Sequence, residues 1–388
     1  MKKIIFIICA IFLISSSFAF DFGGSLHEDF SITGISSKDI LPINNIDFAF
    51  WFKTPIDFQG NTNLNLEVAY MTNSSLTDFA FNQLVDIRKV NLSMKIPLSI
   101  NSNCIFLMGR DSFSDISGLI FNDKIDQLSF KFDLNFGKIS LLVGYTGLLN
   151  GNTHKTIFDP PISENEESKI YQFTKSPSIV MNGRLQLKDI LDFSPITVEF
   201  LSINNLALGN YTNNYINVYF KKPIFKKYNL TAFSSFLFKQ ETSMGKPKLA
   251  NLSKLNFSYE KDAKTFAGKV LFASNDSETF SAFQQYSVVY TSKFLKLPLS
   301  NQIVIGGQFS KNFANNSLFS FDADFYYSFN QQESKLKGNG IELKLTFDVQ
   351  TKSDLKIFFE LADFISSDFS SKEHMNQFYF DFGMKLFY

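Results

Sequence analysis

Over the last twelve residues the chain alternates strictly. Phe378, Phe380, Phe382, Met384, Leu386 and Tyr388 take every second position, and Gln377, Tyr379, Asp381, Gly383, Lys385 and Phe387 fill the others. Successive side chains of a β-strand point to opposite faces, so a period of two builds one wholly apolar face and one mostly polar face. The same period returns along the chain. Ile46, Phe48, Phe50 and Phe52 alternate, as do Leu64, Leu66, Val68 and Tyr70, and then Val90, Leu92, Met94 and Ile96. Leu255, Phe257 and Tyr259 precede Phe266, Gly268, Val270 and Phe272, and Phe319 to Phe329 and Ile341 to Val349 repeat the pattern. The polar faces of the last two stretches carry Asp322, Asp324, Glu342, Lys344 and Asp348. Phe81 to Ile96 reads either as one bulged strand or as two.

Helices cannot carry such a chain across a membrane. After the first residues no apolar run approaches the roughly 20 positions that a spanning helix needs, so any crossing has to use strands. The 388 residues hold 37 basic and 37 acidic side chains, which removes the electrostatic footprint of a nucleic-acid binder. An apolar content of 45% excludes wholesale disorder. The unusual feature is 48 Phe beside one Trp. The near-zero mean hydropathy is then a cancellation between an apolar skin and a wetted face.

Lys2 and Lys3 precede an apolar run from Ile4 to Ile14, and Ser15, Ser16, Ser17, Phe18 and Ala19 follow. This is the layout of a cleavable export signal with the cut after Ala19. Residues 1–19 are therefore expected to be a signal peptide and 20–388 a single β domain. Cys9 would leave with the signal, and Cys104 alone cannot form an internal disulfide. Cys104 reads as a small packing residue in a strand.

Leu128, Phe130, Phe132, Leu134 and Phe136 lead to Gly137-Lys138, after which Ile139, Leu141, Val143, Tyr145 and Gly147 run back. A two-residue turn at Gly137-Lys138 would set Phe136 opposite Ile139 and Phe130 opposite Tyr145. Every apolar residue then shares one side, and Gln127, Ser129, Lys131, Asp133 and Asn135 share the other. A soluble sandwich would bury the apolar side; a barrel in lipid would turn it outward.

The terminal alternation resembles the C-terminal signal of bacterial outer-membrane β-barrels, carried here by Phe380, Phe382, Met384, Leu386 and Tyr388. Tyr stands at the end where Phe is commoner. The resemblance implies an all-β, transmembrane antiparallel barrel in the outer membrane of a diderm bacterium, surrounded by outer-membrane lipid. It also implies recognition of the last strand by the barrel-assembly machinery. We expect about 18 strands, with about 16 as the alternative, a size that leaves an aqueous lumen. The expected function is a porin-like channel for small hydrophilic solutes, with no enzymatic activity. The alternative is an adhesin or interaction protein that uses its extracellular loops. A homo-oligomer is possible, although no interface is legible.

The candidate pore-lining residues follow from the polar faces: Arg88, Arg110, Arg184, Lys131, Asp133, Asp322 and Asp324. The three arginines are the only ones in the chain, and plausible registers turn all of them inward. Around Arg110 both parities are apolar. Met108-Gly109-Arg110-Asp111, followed by Asp126, resembles a strand, loop and returning strand of several porins in which an arginine projects into the channel. Asn150 to Ser176 is the clearest long loop. It could fold inward, bind a partner or stand in solvent, the last being favoured. His27, His154 and His374 are scattered, without metal-ligand spacing, and suit structural or surface roles. No catalytic constellation, nucleotide loop, cofactor motif or metal site is legible.

Overall fold

In the computed structural model the alternating segments become strands that follow one another in chain order. The first half is β1 (Asp21–Ile35), β2 (Asp39–Pro55), β3 (Thr62–Ser75), β4 (Phe81–Ser99), β5 (Ser102–Ser114), β6 (Asn122–Leu134), β7 (Gly137–Tyr145), β8 (Ser178–Leu187) and β9 (Ile196–Asn205). The second half is β10 (Tyr211–Phe225), β11 (Tyr228–Gln240), β12 (Lys248–Lys261), β13 (Lys264–Ala273), β14 (Gln302–Asn312), β15 (Leu318–Asn330), β16 (Lys335–Gln350), β17 (Leu355–Ser366) and β18 (Gln377–Phe387). The structure describes residues 21–387 except 36–38, 58, 76–80, 155, 157–168, 189–194, 208–210, 226, 241–247, 277–280, 288–291, 293, 295–298, 314–315, 331–334, 352–353 and 367–376. The signal segment, His374 and Tyr388 lie outside the described residues, as do Lys352, Ser353 and the stretch holding Asp159, Pro160, Pro161, Glu164, Glu166 and Glu167.

Each strand pairs antiparallel with the next, and the 18-stranded sheet closes where β18 pairs with β1 from Ser25↔Phe387 to Ile35↔Gln377. The count matches the sequence expectation of 18. Closure leaves no edge, so the wall can satisfy its backbone donors and acceptors without water. Parity then sorts the side chains. Phe48, Phe50, Leu128, Phe130, Phe382 and Met384 are exposed on the outer face, whereas Gln127, Asn182, Glu199, Asn217 and Glu342 are buried on the inner one.

One local feature corrects the linear reading and a second decides between its alternatives. The hairpin of β6 and β7 turns at Asn135-Phe136, not at Gly137-Lys138: Leu134 pairs with Gly137, Phe132 with Ile139 and Phe130 with Leu141. The turn moves by two residues and each apolar residue's partner by four, an even number, so every residue keeps its face. Gly137 is needed in the strand because a Cβ there would stand 2.2 Å from the Gln186 carbonyl of β8. Phe81 to Ile96 belongs to one strand with a bulge, since Glu67 pairs with Lys89 but Val68 with Ile87, which leaves Arg88 as the extra residue. The bulge exchanges parity. Asp86 before it and Asn91 after it consequently share the inner face.

Arg110 departs from its expected inward direction. It shares a register column with Asp126 and Tyr145, next to the column of Met108, Leu128 and Val143 on the same face, and that face is the outer one. The pairing of β4 with β5 stops at Val90↔Arg110, just past Gly109 with its φ of 116°. Beyond that point the free edge of β4 is taken up by the connection between β7 and β8, through Val85 N–H to the Ile170 carbonyl (3.1 Å) and Asn150 Nδ2 to the Val85 carbonyl (2.8 Å). Arg110 fills the split. Its Nε and Nη2 grip the two carboxylate oxygens of Asp126 at 3.1 and 2.8 Å, and the remaining N–H groups reach the carbonyls of Ile87 and Leu148 and the Tyr171 hydroxyl. A buried charge is tolerated when it is paired and its donors are used. Arg110→Leu should therefore strand the Asp126 charge and cost about 3–5 kcal/mol of barrel stability, while Arg110→Leu with Asp126→Leu should recover most of the loss. Urea unfolding in detergent, followed by the heat-dependent gel shift, distinguishes the two.

Candidate functional site

Eighteen strands enclose more space than their own side chains fill, and here loops fill part of it. The short β5–β6 connection folds inward around Asp115. Its Oδ1 accepts from the backbone N–H groups of Ile120 (3.0 Å) and Phe121 (2.9 Å), and its Oδ2 accepts from Ser117 N–H (2.8 Å). Burial pushes the Asp115 carboxyl above its usual range, the bonds from Ser117 and Phe121 oppose that, and neighbouring Glu199 adds to it. The turn presents Ile120 and Phe121, both fully buried.

From the β13–β14 connection Tyr286 stacks on Phe121 with ring centroids 5.0 Å apart, and Phe283 packs edge-on against Tyr215 of β10. Backbone bonds join the two connections, Tyr286 and Ser287 both donating to the Ile120 carbonyl at 2.8 and 3.0 Å. Inward apolar residues of the nearby wall, among them Leu201, Leu237, Leu252 and Val304, complete a core inside the lumen. The apolar residues of both parities that blur the alternation in this part of the chain are explained by this plug.

Glu199 of β9 fastens the plug to the wall, and sequence reasoning did not single it out. It is fully buried. Its Oε2 accepts from Ile116 N–H (3.0 Å) and Asn217 Nδ2 (2.8 Å), and its Oε1 accepts from Asn182 Nδ2 (2.8 Å) and Arg184 Nη2 (2.6 Å). Arg184 in turn donates to the Ser114 carbonyl at 2.7 Å. Arg184 thus lies on the inner face, engaged in holding the β5–β6 connection. The other charged candidates sit elsewhere on the inner wall. Arg88 pairs with Asp47 and approaches Asp86 (3.9 Å) and Glu67 (4.0 Å). Lys131 and Asp133 stand near the short-turn end, where Asp133 meets Lys188 at 3.2 Å. Asp322 and Asp324 are buried at register positions opposite Lys344 and Glu342, and Asp324 binds Lys269 at 2.8 Å.

On the wall of β1 and β16–β18 the inner face stays open, as a cavity of about 410 Å³ lined by His27, Asp29, Asp348, Lys356, Glu360 and Asp381 among others. Both signs of charge face it. Lys356 is held by Asp348 at 2.9 Å, and His27 stacks on Phe358 with centroids 5.2 Å apart. The period-two pattern marks these residues as polar-face positions; only the closed sheet brings β1 beside β18.

The long β7–β8 connection is not a solvated loop in its described parts. Asn150, Thr156, Thr174 and Ser176 are buried, and so is His154. The His154 ring lies between Asp123, which contacts Nδ1, and Asp86, 3.4 Å from Nε2, with Lys124 Nζ 3.5 Å from the same Asp86. Burial disfavours the charged ring, but the hydrogen bonds and charges of Asp123 and Asp86 outweigh it and raise the His154 pKa above 6.5.

Barrels of the same architecture are known. OccK11 (OpdR) of Pseudomonas aeruginosa superposes with a TM-score of 0.62 at 8% identity, over 95% of this chain and 95% of that one. OccAB4 of Acinetobacter baumannii gives 0.62 at 9% identity over 95% and 98%. The Pseudomonas aeruginosa outer-membrane protein OpdK gives 0.59 at 10% identity over 95% and 99%. At these identities the likeness is one of fold. No protein-family model and no curated protein sequence matches the chain.

Two outcomes follow. Each hydrogen bond contributes about 0.5–1.5 kcal/mol, so Asp115→Ala, which removes the acceptor of three backbone N–H groups, should free the β5–β6 turn and speed its limited proteolysis without loss of the folded barrel. The ionised His154 stabilises the docked β7–β8 connection; this contribution is complete below the ordinary histidine pKa and falls as pH rises through the raised one. Limited proteolysis of that connection should be slower at about pH 6 than at about pH 9, and His154→Gln should remove the difference.

Proposed function

We propose that the chain is a porin-like channel of a bacterial outer membrane that passes small hydrophilic solutes. The observation that carries this reading is the closed 18-stranded wall, apolar outside, whose inner face bears a cavity lined by both signs of charge. Barrels of this size leave room for water, and charged linings select solutes by field and by hydrogen bonding. Arg88, Lys131, Asp133, Asp322 and Asp324 line the route in this reading, whereas Arg184 shapes it by holding the β5–β6 connection. The cavity residues Asp29, Lys356, Glu360 and Asp381 join them. No step of bond chemistry enters the reading.

Residues 1–19 direct export in this proposal, and the outward row Phe380, Phe382, Met384 and Leu386 presents the last strand to the assembly machinery before it closes on β1. Association with further copies of the chain is compatible with the apolar outer face. Refolded protein should form stable, water-filled conducting pores in a planar bilayer. A barrel that shows the heat-dependent gel shift yet never conducts would overturn the channel reading.

A further inference from the structure

The outer face of the barrel carries few charges, and three of them are adjacent. Lys261 ends β12, Lys264 begins β13 and Lys311 lies near the end of β14; the register pairs Lys261 with Lys264 and Lys264 with Lys311. All three occupy the outward parity, because the next outward residues, Tyr259, Phe266 and Phe309, form the neighbouring row, again in register. Phe266 and Phe309 touch with ring centroids 5.0 Å apart, and Tyr259 touches Tyr228 at 4.8 Å. The lysine row therefore borders an aromatic row at the end of the barrel that holds the tight Asp262-Ala263 and Asn135-Phe136 turns, the periplasmic end in the membrane placement proposed above, where aromatic side chains mark the edge of the hydrocarbon.

Like charges directly opposite on paired strands repel. Among the described residues no carboxylate forms an ion pair with any of the three. The turn between Lys261 and Lys264 holds Asp262 with φ 51° and Ala263 with φ 61°, and Lys311 Nζ rests 4.7 Å from the Phe313 ring centre. A hairpin this tight keeps the first two lysines at neighbouring positions. The row therefore presents its positive charge outward, at the depth where lipid headgroups begin in the membrane placement proposed above.

We propose that Lys261, Lys264 and Lys311 form a site for the phosphate of an anionic phospholipid of the inner leaflet, with the acyl chains lying along Phe266, Phe309 and Phe321. A phosphodiester shares its negative charge over two non-bridging oxygens, which can meet two lysines whose Cβ atoms stand about 5 Å apart, and long lysine stems reach out to the headgroup level while their methylenes stay on the apolar wall. The assignment rests on the membrane placement proposed above.

The test measures association of spin-labelled phosphatidylglycerol and phosphatidylcholine with the barrel reconstituted in vesicles of the two lipids. The native protein should prefer phosphatidylglycerol by about thirtyfold, as expected for two basic side chains engaging the anionic headgroup. Lys261→Gln with Lys264→Gln and Lys311→Gln should remove the preference, and the triple Lys→Arg variant should keep it. Equal association of both lipids with native protein, or a preference unchanged in the triple Gln variant, overturns the site while leaving the channel reading intact. Failure of the native barrel to insert into the vesicles overturns both.

Discussion

In hydrocarbon a backbone N–H or C=O has no water to turn to, and each unpaired group costs several kcal/mol. The seam between β1 and β18 answers that constraint, because it turns a sheet with two open edges into a wall with none. Closure also fixes what each parity means. Once the wall is continuous, every second side chain faces out and the others face in, and the Phe excess acquires a place on the outer surface. The interruption where β4 and β5 part beyond Val90 and Arg110 is bridged by backbone from the β7–β8 connection and by the Arg110–Asp126 pair. It obeys the same rule by other means.

The interior depends on a second constraint. A wide barrel without a packed centre offers its inner side chains only water, yet Ile120, Phe121, Phe283 and Tyr286 are buried inside this one. They leave water because two connections fold in together and share an apolar contact. Polar fasteners, Asp115 within the turn and Glu199 with Arg184 on the wall, direct that contact. Such networks hold a conformation when all their members are satisfied. The cavity beside β1 and β16–β18 is lined by wall residues alone.

Much of the fold was legible in the linear pattern, and for a specific reason. Side-chain parity is a local property of extended chain, so the faces of β6, β7, β16 and β18 could be assigned without knowing a single neighbour. Even the displaced turn at Asn135-Phe136 left the faces correct, because the register moved by an even number of positions. Arg110 was misread because parity propagates only along an uninterrupted count, and apolar residues of both parities surround it. The bulge was legible as one of two readings of Phe81 to Ile96, but only the register places it at Arg88, where one extra residue exchanges the faces. Glu199 was passed over since an isolated acid on a polar face looks like any other until its four hydrogen-bond donors are placed around it.

The sequence by itself determined that this protein builds alternating strands in number for a wide barrel, that one face of them is apolar, and that its last strand keeps that alternation. Those are consequences of spacing between nearest residues, which the chain carries wherever it goes. Only the tertiary structure decided which connections fold inward, that Arg110 faces outward while Arg184 holds a turn, and that Lys261, Lys264 and Lys311 share one row. Each of these joins residues from separate strands, and their proximity exists only after register, bulges and closure have been set together by the whole wall.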